Sequence, residues 1–160
     1  MESSLYDRVA ELILDNQENM YRMAYSILGN DTDSQDAVSE SIIRAFENWH
    51  KLKKKDNAGS WLIGIVINVS KELYTRKNRI ILTEDPEKYV ETEIFKDDEL
   101  WPVIIELPYE IKVILTAYYY QGFSVKEISR MLGIAEGTVK TRLSKGRKLL
   151  AEVLRMKGDR

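Results

Sequence analysis

The chain has 160 residues, of which 44% are hydrophobic and 31% charged, a composition typical of globular proteins and not of disordered ones. It contains no cysteine and a single histidine, His50, which excludes a disulfide framework and leaves no set of thiolates or imidazoles for a metal site. The net charge of −2 conceals two basic blocks, because residues 47–82 hold eight basic and three acidic residues and residues 123–160 hold ten and four.

The first predicted elements are two amphipathic helices within residues 1–49. The first helix has its apolar residues at helical spacing, at Leu5, Val9, Leu12 and Ile13 and again at Met20, Ala24, Ile27 and Leu28. Gly29 and Asn30 both accept the left-handed conformation that ends a helix. We expect Asp33 or Ser34 to cap the second helix. Its apolar stripe comprises Ala37, Val38, Ile42, Ala45, Phe46 and Trp49.

A lysine-rich loop and a third helix follow. The helix is predicted from about residue 60 to residue 77, with an apolar face formed by Leu62, Ile65, Val66 and Val69. Basic residues beside aromatic ones are what single-stranded DNA binding requires, since ammonium groups hold phosphate and an aromatic face or pocket holds an unstacked base. Alone this signal is weak, and Trp49 and Trp61 are more readily explained as core residues.

Residues 83–98 differ from the rest of the chain in being acidic, proline-containing and only weakly periodic, which favours a linker. Tyr89, Ile94 and Phe95 leave open that part of this segment docks on a domain. No alternating pattern long enough for a β-strand occurs in the chain. We therefore predict an all-α protein of two small helical domains, residues 1–82 and 99–160, joined by a flexible acidic linker at 83–98.

The second domain contains a predicted helix-turn-helix. Pro108 suits the first turn of a helix running to about Tyr120. Ser124 and Glu127 have the spacing of a capping box at the start of a short helix. Gly133 then makes a tight turn, and a longer helix begins near Glu136. On a helical wheel its core-facing residues are Val139, Leu143, Gly146, Leu150 and Val153.

The outer face of this last helix is basic and hydroxylated, which predicts DNA binding. In a helix-turn-helix, the start of the second helix enters the major groove and later basic residues hold phosphate. The residues placed for base edges are Glu136, Gly137, Thr138, Lys140 and Thr141. Those suited to phosphate are Arg142, Lys145, Arg147 and Lys148, with Ser144 on the same face. A solvated basic helix is the competing interpretation, and for Tyr118, Tyr119 and Tyr120 core packing with one or two exposed hydroxyls is favoured over base stacking.

Three stretches carry a family resemblance: YRMAYSILGNDTDSQDAVSESIIRAFENW, WLIGIVINVSKEL and LPYEIKVILTAYYYQGFSVKEISRMLGIAEGTVKTRLSKGRKLL. In this order and spacing the chain resembles the extracytoplasmic-function sigma factors of bacterial RNA polymerase, over roughly residues 5–154. The resemblance implies that residues 1–82 form sigma region two and residues 99–160 form sigma region four. It also implies an alternative sigma factor that binds core polymerase, directs it to promoters and helps to open them, with no covalent chemistry or cofactor of its own.

The resemblance assigns further roles to residues. The segment matching the family's grip on the clamp coiled coil of the largest polymerase subunit is Asp36, Ala37, Val38, Ser39 and Glu40. Those matching the pocket and helix that hold the opened minus-ten strand are Lys53, Lys54, Lys55, Asn57, Ser60, Trp61, Asn68, Lys71 and Arg76. The helix-turn-helix matches the reader of the minus-thirty-five element. Further partners implied are the flap of the second-largest subunit and an anti-sigma factor, which the family commonly uses.

Two other functions are compatible with parts of the pattern. A stand-alone helix-turn-helix regulator would bind an operator as a dimer, but it leaves residues 36–40 and the lysine loop without a role. A helical adaptor would bind proteins only. An enzyme is not indicated, because the sequence offers no nucleophile–base pair, phosphate-binding glycine loop or metal cluster.

The longest apolar run, residues 61–67, is too short to span a membrane, and no signal peptide is evident. We therefore expect a cytoplasmic protein without membrane insertion.

Overall fold

The computed structural model describes residues 2–52, 57–81 and 100–158, and this part of the chain is helical without β-strands. The predicted all-α class is therefore confirmed. The α-helices are α1 (Glu2–Leu28), α2 (Asp31–Asn48), α3 (Ala58–Ile81), α4 (Trp101–Ile104), α5 (Tyr109–Leu115), α6 (Val125–Leu132) and α7 (Glu136–Gly158). A 3₁₀ turn (Trp49–Lys51) follows α2, and a π-helical turn (Thr116–Tyr120) follows α5. No described helix has the length and apolar character needed to cross a membrane.

The chain divides into two compact units, Met1–Tyr89 and Val90–Arg160. The predicted linker at residues 83–98 lies outside the described residues.

In the first unit, α1, α2 and α3 pack against one another in all three pairs. Each helix buries one apolar stripe, as expected when amphipathic helices share a core. The most buried apolar residues are Val9, Met20, Met23, Ala24, Tyr25, Ala37, Ala45, Leu62, Ile63 and Val66. Leu5, predicted on the apolar face of α1, is instead 41% exposed.

The start of α2 differs from prediction, because Asn30 caps the helix in place of Asp33 or Ser34. Asn30 has the extended backbone of a cap residue, and its side-chain oxygen accepts a hydrogen bond from the Asp33 amide at 2.9 Å. Asp33 and Ser34 lie in the first turn, where the Ser34 hydroxyl donates to the Asn30 carbonyl at 2.6 Å. Asp33 is buried and pairs with Lys77 of α3. The predicted stop of α1 at Gly29 and Asn30 is confirmed at Gly29, which has a φ of 76°.

The second unit is built on α5, α6 and α7, with the single turn of α4 beside them. Its most buried apolar residues are Trp101, Ile104, Val113, Ile114, Leu115, Ile128 and Val139. Pro108 was expected in the first turn of α5, but it occupies the preceding cap position with a ψ of 146°. The helix predicted to run to Tyr120 changes at Thr116 into the π-helical turn. The indole of Trp101 packs edge-on against Tyr120, with ring centroids 5.2 Å apart.

Helices α5 and α7 lie close together at Gly146. A Cβ atom at this position would lie 3.0 Å from the Ile111 side chain and 3.0 Å from both terminal carbons of Leu115. Such a contact is closer than ordinary van der Waals separation between carbons. The absence of a side chain at Gly146 therefore allows α7 to rest directly on α5.

Candidate nucleic-acid interface

The helix-turn-helix is held by hydrogen bonds across both of its turns. The predicted capping box is present, because the Ser124 hydroxyl accepts from the Glu127 amide at 3.1 Å and the Glu127 carboxylate accepts from the Ser124 amide at 3.0 Å. Gly133 ends α6 with a φ of 66°, in the left-handed region that favours glycine. The Ser129 hydroxyl donates to the Ile134 carbonyl at 2.5 Å and closes the turn leading to α7. The turn that leads from α6 into α7 is thus held by α6.

Helix α7 separates a buried stripe from an exposed polar face, as the sequence predicts. Val139 and Leu143 are 0% and 3% exposed, and Gly146 is buried with them. Thr138 and Arg142 are half-buried. The exposed residues are Glu136, Gly137, Lys140, Thr141, Ser144, Lys145, Arg147 and Lys148. Eight of the ten residues predicted for this site therefore lie exposed on one helix.

Two arginines of this set have partners that sequence reasoning did not find. The guanidinium of Arg142 lies 3.9 Å from the Glu110 carboxylate of α5. The Nε–H of Arg147 donates to the Tyr119 hydroxyl at 2.5 Å. That hydrogen bond is the main reason why the pKa of Arg147 is raised above its ordinary value. Tyr119 lies 28 residues before Arg147, so helical periodicity gives no sign of the contact.

In the first unit, the described residues of the predicted minus-ten site lie at the start of α3 and along it. Trp61 is half-buried and meets the buried Trp49 edge-on, with ring centroids 5.8 Å apart. Ser60 is buried and donates to the Asn57 carbonyl at 3.0 Å, so its hydroxyl supports the local backbone. The exposed members are Asn68, Lys71 and Arg76, Asn57 is half-buried, and Lys53, Lys54 and Lys55 lie outside the described residues.

The segment predicted to bind polymerase lies in the middle of α2. Asp36, Ser39 and Glu40 are exposed, while Ala37 is buried against the core and Val38 is half-buried. The spacing of the three exposed residues places them on one side of the helix. They form an acidic and hydroxyl-bearing surface suited to a basic or polar partner.

Arg44 connects this segment with α3. Its Nε–H donates to Glu40 at 3.3 Å, and its two terminal nitrogens donate to Glu72 at 3.3 and 2.8 Å. This hydrogen-bonded pairing lowers the pKa of the Glu72 carboxyl below its ordinary value. Both ion pairs are largely solvated, so they orient side chains more than they stabilise the fold.

Among the described residues, no three acidic or histidine side chains are grouped in a way that could hold a metal ion.

Comparison with known proteins gives two family matches and several similar chains. Residues 12–80 match the family described as Sigma-70 region 2, and residues 98–150 match Sigma-70, region 4. The sigma factor SigV of Bacillus subtilis is 27% identical over 142 residues, covering 86% of each chain. SigW of the same organism is 26% identical over 168 residues, covering 93% of this chain and 90% of that protein.

The fold is also found, across most of the chain, in solved structures. One of them is the sigma factor RpoE of Bartonella quintana, solved in complex with the anti-sigma factor NepR. It aligns with a TM-score of 0.76 at 18% identity, covering 91% of this chain and 96% of that one. The likeness at this identity is one of fold.

Proposed function

Because the chain belongs to the extracytoplasmic-function sigma factors, we propose that its two domains divide promoter recognition between them. Proteins of this family are initiation factors and not enzymes, and this chain is an alternative sigma factor that directs promoter recognition by RNA polymerase. Residues 1–82 contact core polymerase and the minus-ten element, and residues 99–160 contact the minus-thirty-five element. The exposed basic face of α7, on a capped helix-turn-helix, is the observation that carries this assignment.

At the minus-thirty-five element, the first turns of α7 enter the major groove. Glu136, Gly137, Thr138, Lys140 and Thr141 then meet base edges, since they precede the rest of the face along the helix. Lys145, Arg147 and Lys148 hold phosphates, and Ser144 lies between the two groups. Arg142 joins the phosphate contacts by leaving Glu110, because a 3.9 Å pair at a solvated surface contributes little free energy.

At the minus-ten element, α3 and the preceding loop hold the opened strand. Asn68, Lys71 and Arg76 are exposed along α3 and supply polar and cationic contacts to the backbone. Trp61, Ser60 and Asn57 belong to the wall of the base pocket, and the lysines at 53, 54 and 55 add positive charge beside it. Capture of one unstacked base offsets part of the free energy of unpairing, which makes opening selective for sequence.

Polymerase is contacted by both domains. Asp36, Ser39 and Glu40 present their side chains to the clamp coiled coil of the largest subunit, while Ala37 and Val38 anchor the segment in the core of the first unit. The second domain meets the flap of the second-largest subunit. We further propose an anti-sigma partner, as in the Bartonella quintana complex, and a cytoplasmic site of action beside polymerase.

Transcription of sheared genomic DNA by purified core polymerase, with and without this protein, tests the function directly. We expect new RNA 5′ ends whose upstream sequences share two elements at a fixed spacing. If polymerase and protein are both competent and free of inhibitor and no new starts are found, the sigma assignment is wrong. An operator-binding regulator then becomes the better explanation.

Charge reversal in α2 tests the polymerase contact. The double variant Asp36→Lys with Glu40→Lys should weaken binding to core polymerase by about 10-fold or more, because it replaces two attractive charges by repulsive ones. The affinity is measured by titrating labelled protein with core polymerase. Asp15→Lys with Glu18→Lys is the matched control, since it makes the same charge change at exposed positions of α1. Equal affinities for the two variants, with both folded by circular dichroism, would refute the α2 contact.

A further inference from the structure

Tyr118, Tyr119 and Arg147 form a cluster on the surface of the second unit, here named the tyrosine–arginine cluster. The guanidinium carbon of Arg147 lies 5.9 Å from the Tyr118 ring centroid and 5.7 Å from that of Tyr119. The two rings meet edge-on with centroids 5.1 Å apart. Tyr119 is 50% exposed and Arg147 is exposed, so solvent reaches the cluster. The sequence favours core packing with one or two exposed hydroxyls for the three tyrosines, and at 50% exposure Tyr119 exposes more than its hydroxyl.

The π-helical turn sets the position of this cluster. A π-turn has one more residue than an α-helical turn and redirects the side chains that follow, and such turns are frequent at functional sites. On the buried side of this turn, Thr116 and Ala117 are 0% and 1% exposed. Tyr120 packs on Trp101. Tyr118 and Tyr119 are left to contact Arg147 on α7.

The cluster lies beside the exposed basic face of α7. Arg147 follows Lys140 by seven residues, so the two side chains differ in direction by only about 20° and are about 10 Å apart along the helix axis. Ser144 lies between them on the same side. DNA whose base edges meet Lys140 therefore has a backbone that passes Ser144 and lies close to the tyrosine–arginine cluster.

The hydrogen-bonding groups of the cluster suit an oxyanion. The Tyr119 oxygen accepts from the Nε–H of Arg147, so the phenol keeps its own proton for donation. The terminal nitrogens of Arg147 add further donors, and within the part of the chain that the structure describes no carboxylate pairs with this guanidinium. Contacts to two rings and one hydroxyl hold the guanidinium in place, which reduces the side-chain entropy lost on binding. Arg147 carries its positive charge at any physiological pH, as arginine does in proteins.

We propose that Tyr119 and Arg147 together bind one backbone phosphate of promoter DNA beside the recognition helix, with Tyr118 holding the guanidinium between them. This inference rests on the proposed function, and it assigns Tyr119 a direct contact with DNA. A phosphate is favoured over a carboxylate of polymerase because Lys140 lies on the same side of α7 as the cluster, and Lys148 is about 100° further round the exposed face assigned to DNA.

Promoter affinity measured across a range of salt concentrations tests the proposal. Complexes of core polymerase with wild-type or variant protein are titrated onto a fluorescent promoter duplex identified by transcript mapping. Arg147→Gln should reduce the slope of log affinity against log salt concentration by about one. Tyr119→Phe should weaken binding by about 10-fold or more, as expected for loss of a hydrogen bond to a charged group. The double variant should be no weaker than Arg147→Gln alone, because both residues hold the same phosphate.

Two controls separate the outcomes. Tyr6→Phe removes the hydroxyl of an equally exposed tyrosine in the first unit, and it should bind like wild type. Lys140→Ala reports on the recognition helix itself. If Lys140→Ala weakens binding while Tyr119→Phe does not, the phosphate contact of Tyr119 is wrong and the proposed function stands. If neither does, the proposed function fails as well. If Tyr119→Phe lowers affinity for core polymerase and leaves promoter affinity unchanged, the cluster contacts protein and the proposal is overturned.

Discussion

Reversing the charge of Lys140 and Lys145 should abolish promoter-directed transcription, with at least about a 100-fold loss of promoter affinity. Both side chains are exposed on α7, on the face that the proposed function assigns to DNA. Each substitution to glutamate removes one attraction to the phosphate backbone and adds one repulsion. A correct base contact at Lys140 contributes further discrimination, about 1–3 kcal/mol for a well-formed pair. The combined effect exceeds that of any single phosphate contact.

The experiment compares this double variant with wild type in transcription and in promoter binding at several salt concentrations. Arg8→Glu with Arg155→Glu is the matched control, because it makes the same charge change at exposed sites outside the predicted contacts. The control should stay within about threefold of wild type, since distant exposed charges are largely screened. Normal transcription by the Lys140→Glu, Lys145→Glu variant would show that α7 does not recognise promoter DNA. It would favour a helical adaptor that binds proteins only.

Trp101→Ala should unfold the second unit selectively. The side chain is 0% exposed, and its ring packs edge-on against Tyr120 with a centroid distance of 5.2 Å. Removing a buried aromatic side chain lowers the free energy of unfolding by about 3–5 kcal/mol, through lost burial and the cavity left behind. Domains of about 60 residues lie near the low end of the roughly 5–15 kcal/mol typical of native proteins, so this loss should remove most of the stability of the second unit. Recognition of the minus-thirty-five element should be lost with it.

Native-state hydrogen exchange resolves the two units separately and measures this effect. Amides of α5, α6 and α7 should exchange much faster in the variant, while those of α1, α2 and α3 keep their protection. Leu100→Ala is the adjacent control, since Leu100 is 37% exposed and its truncation should change stability by less than about 1 kcal/mol. Equal loss of protection in both units would show that they unfold as one body.

The elements that could be predicted from the sequence are those whose signals are local. Val139 and Leu143 show the period of an amphipathic helix, and both are buried in α7. The capping box at Ser124 and the turn at Gly133 depend on residues within a few positions of each other, so the sequence places both. The start of α2 was wrong by one turn because several cap-forming residues follow one another there. Asn30 was assigned to the end of α1, yet it is the residue whose backbone is extended.

Contacts between distant residues could not be predicted in the same way. Arg44 and Glu72 are 28 residues apart, as are Tyr119 and Arg147, and each pair depends on how two helices pack. The π-helical turn at residues 116–120 is equally hidden, because the apolar spacing up to Leu115 is that of an ordinary α-helix. The sequence thus predicts which face of α7 is exposed. It does not predict that Glu110 pairs with Arg142 or that Tyr119 accepts a hydrogen bond from Arg147.

The close approach at Gly146 has a consequence for how this protein can diverge in evolution. Any side chain at this position must push against Ile111 and Leu115, whereas the flanking residues Lys145 and Arg147 are exposed. Selection can therefore change the exposed residues of α7, and with them the promoters that the protein prefers. Gly146 meanwhile keeps the packing of α7 on α5 unchanged. Changes in promoter preference and crowding between α5 and α7 therefore fall on neighbouring residues of one helix, so the first can change without the second.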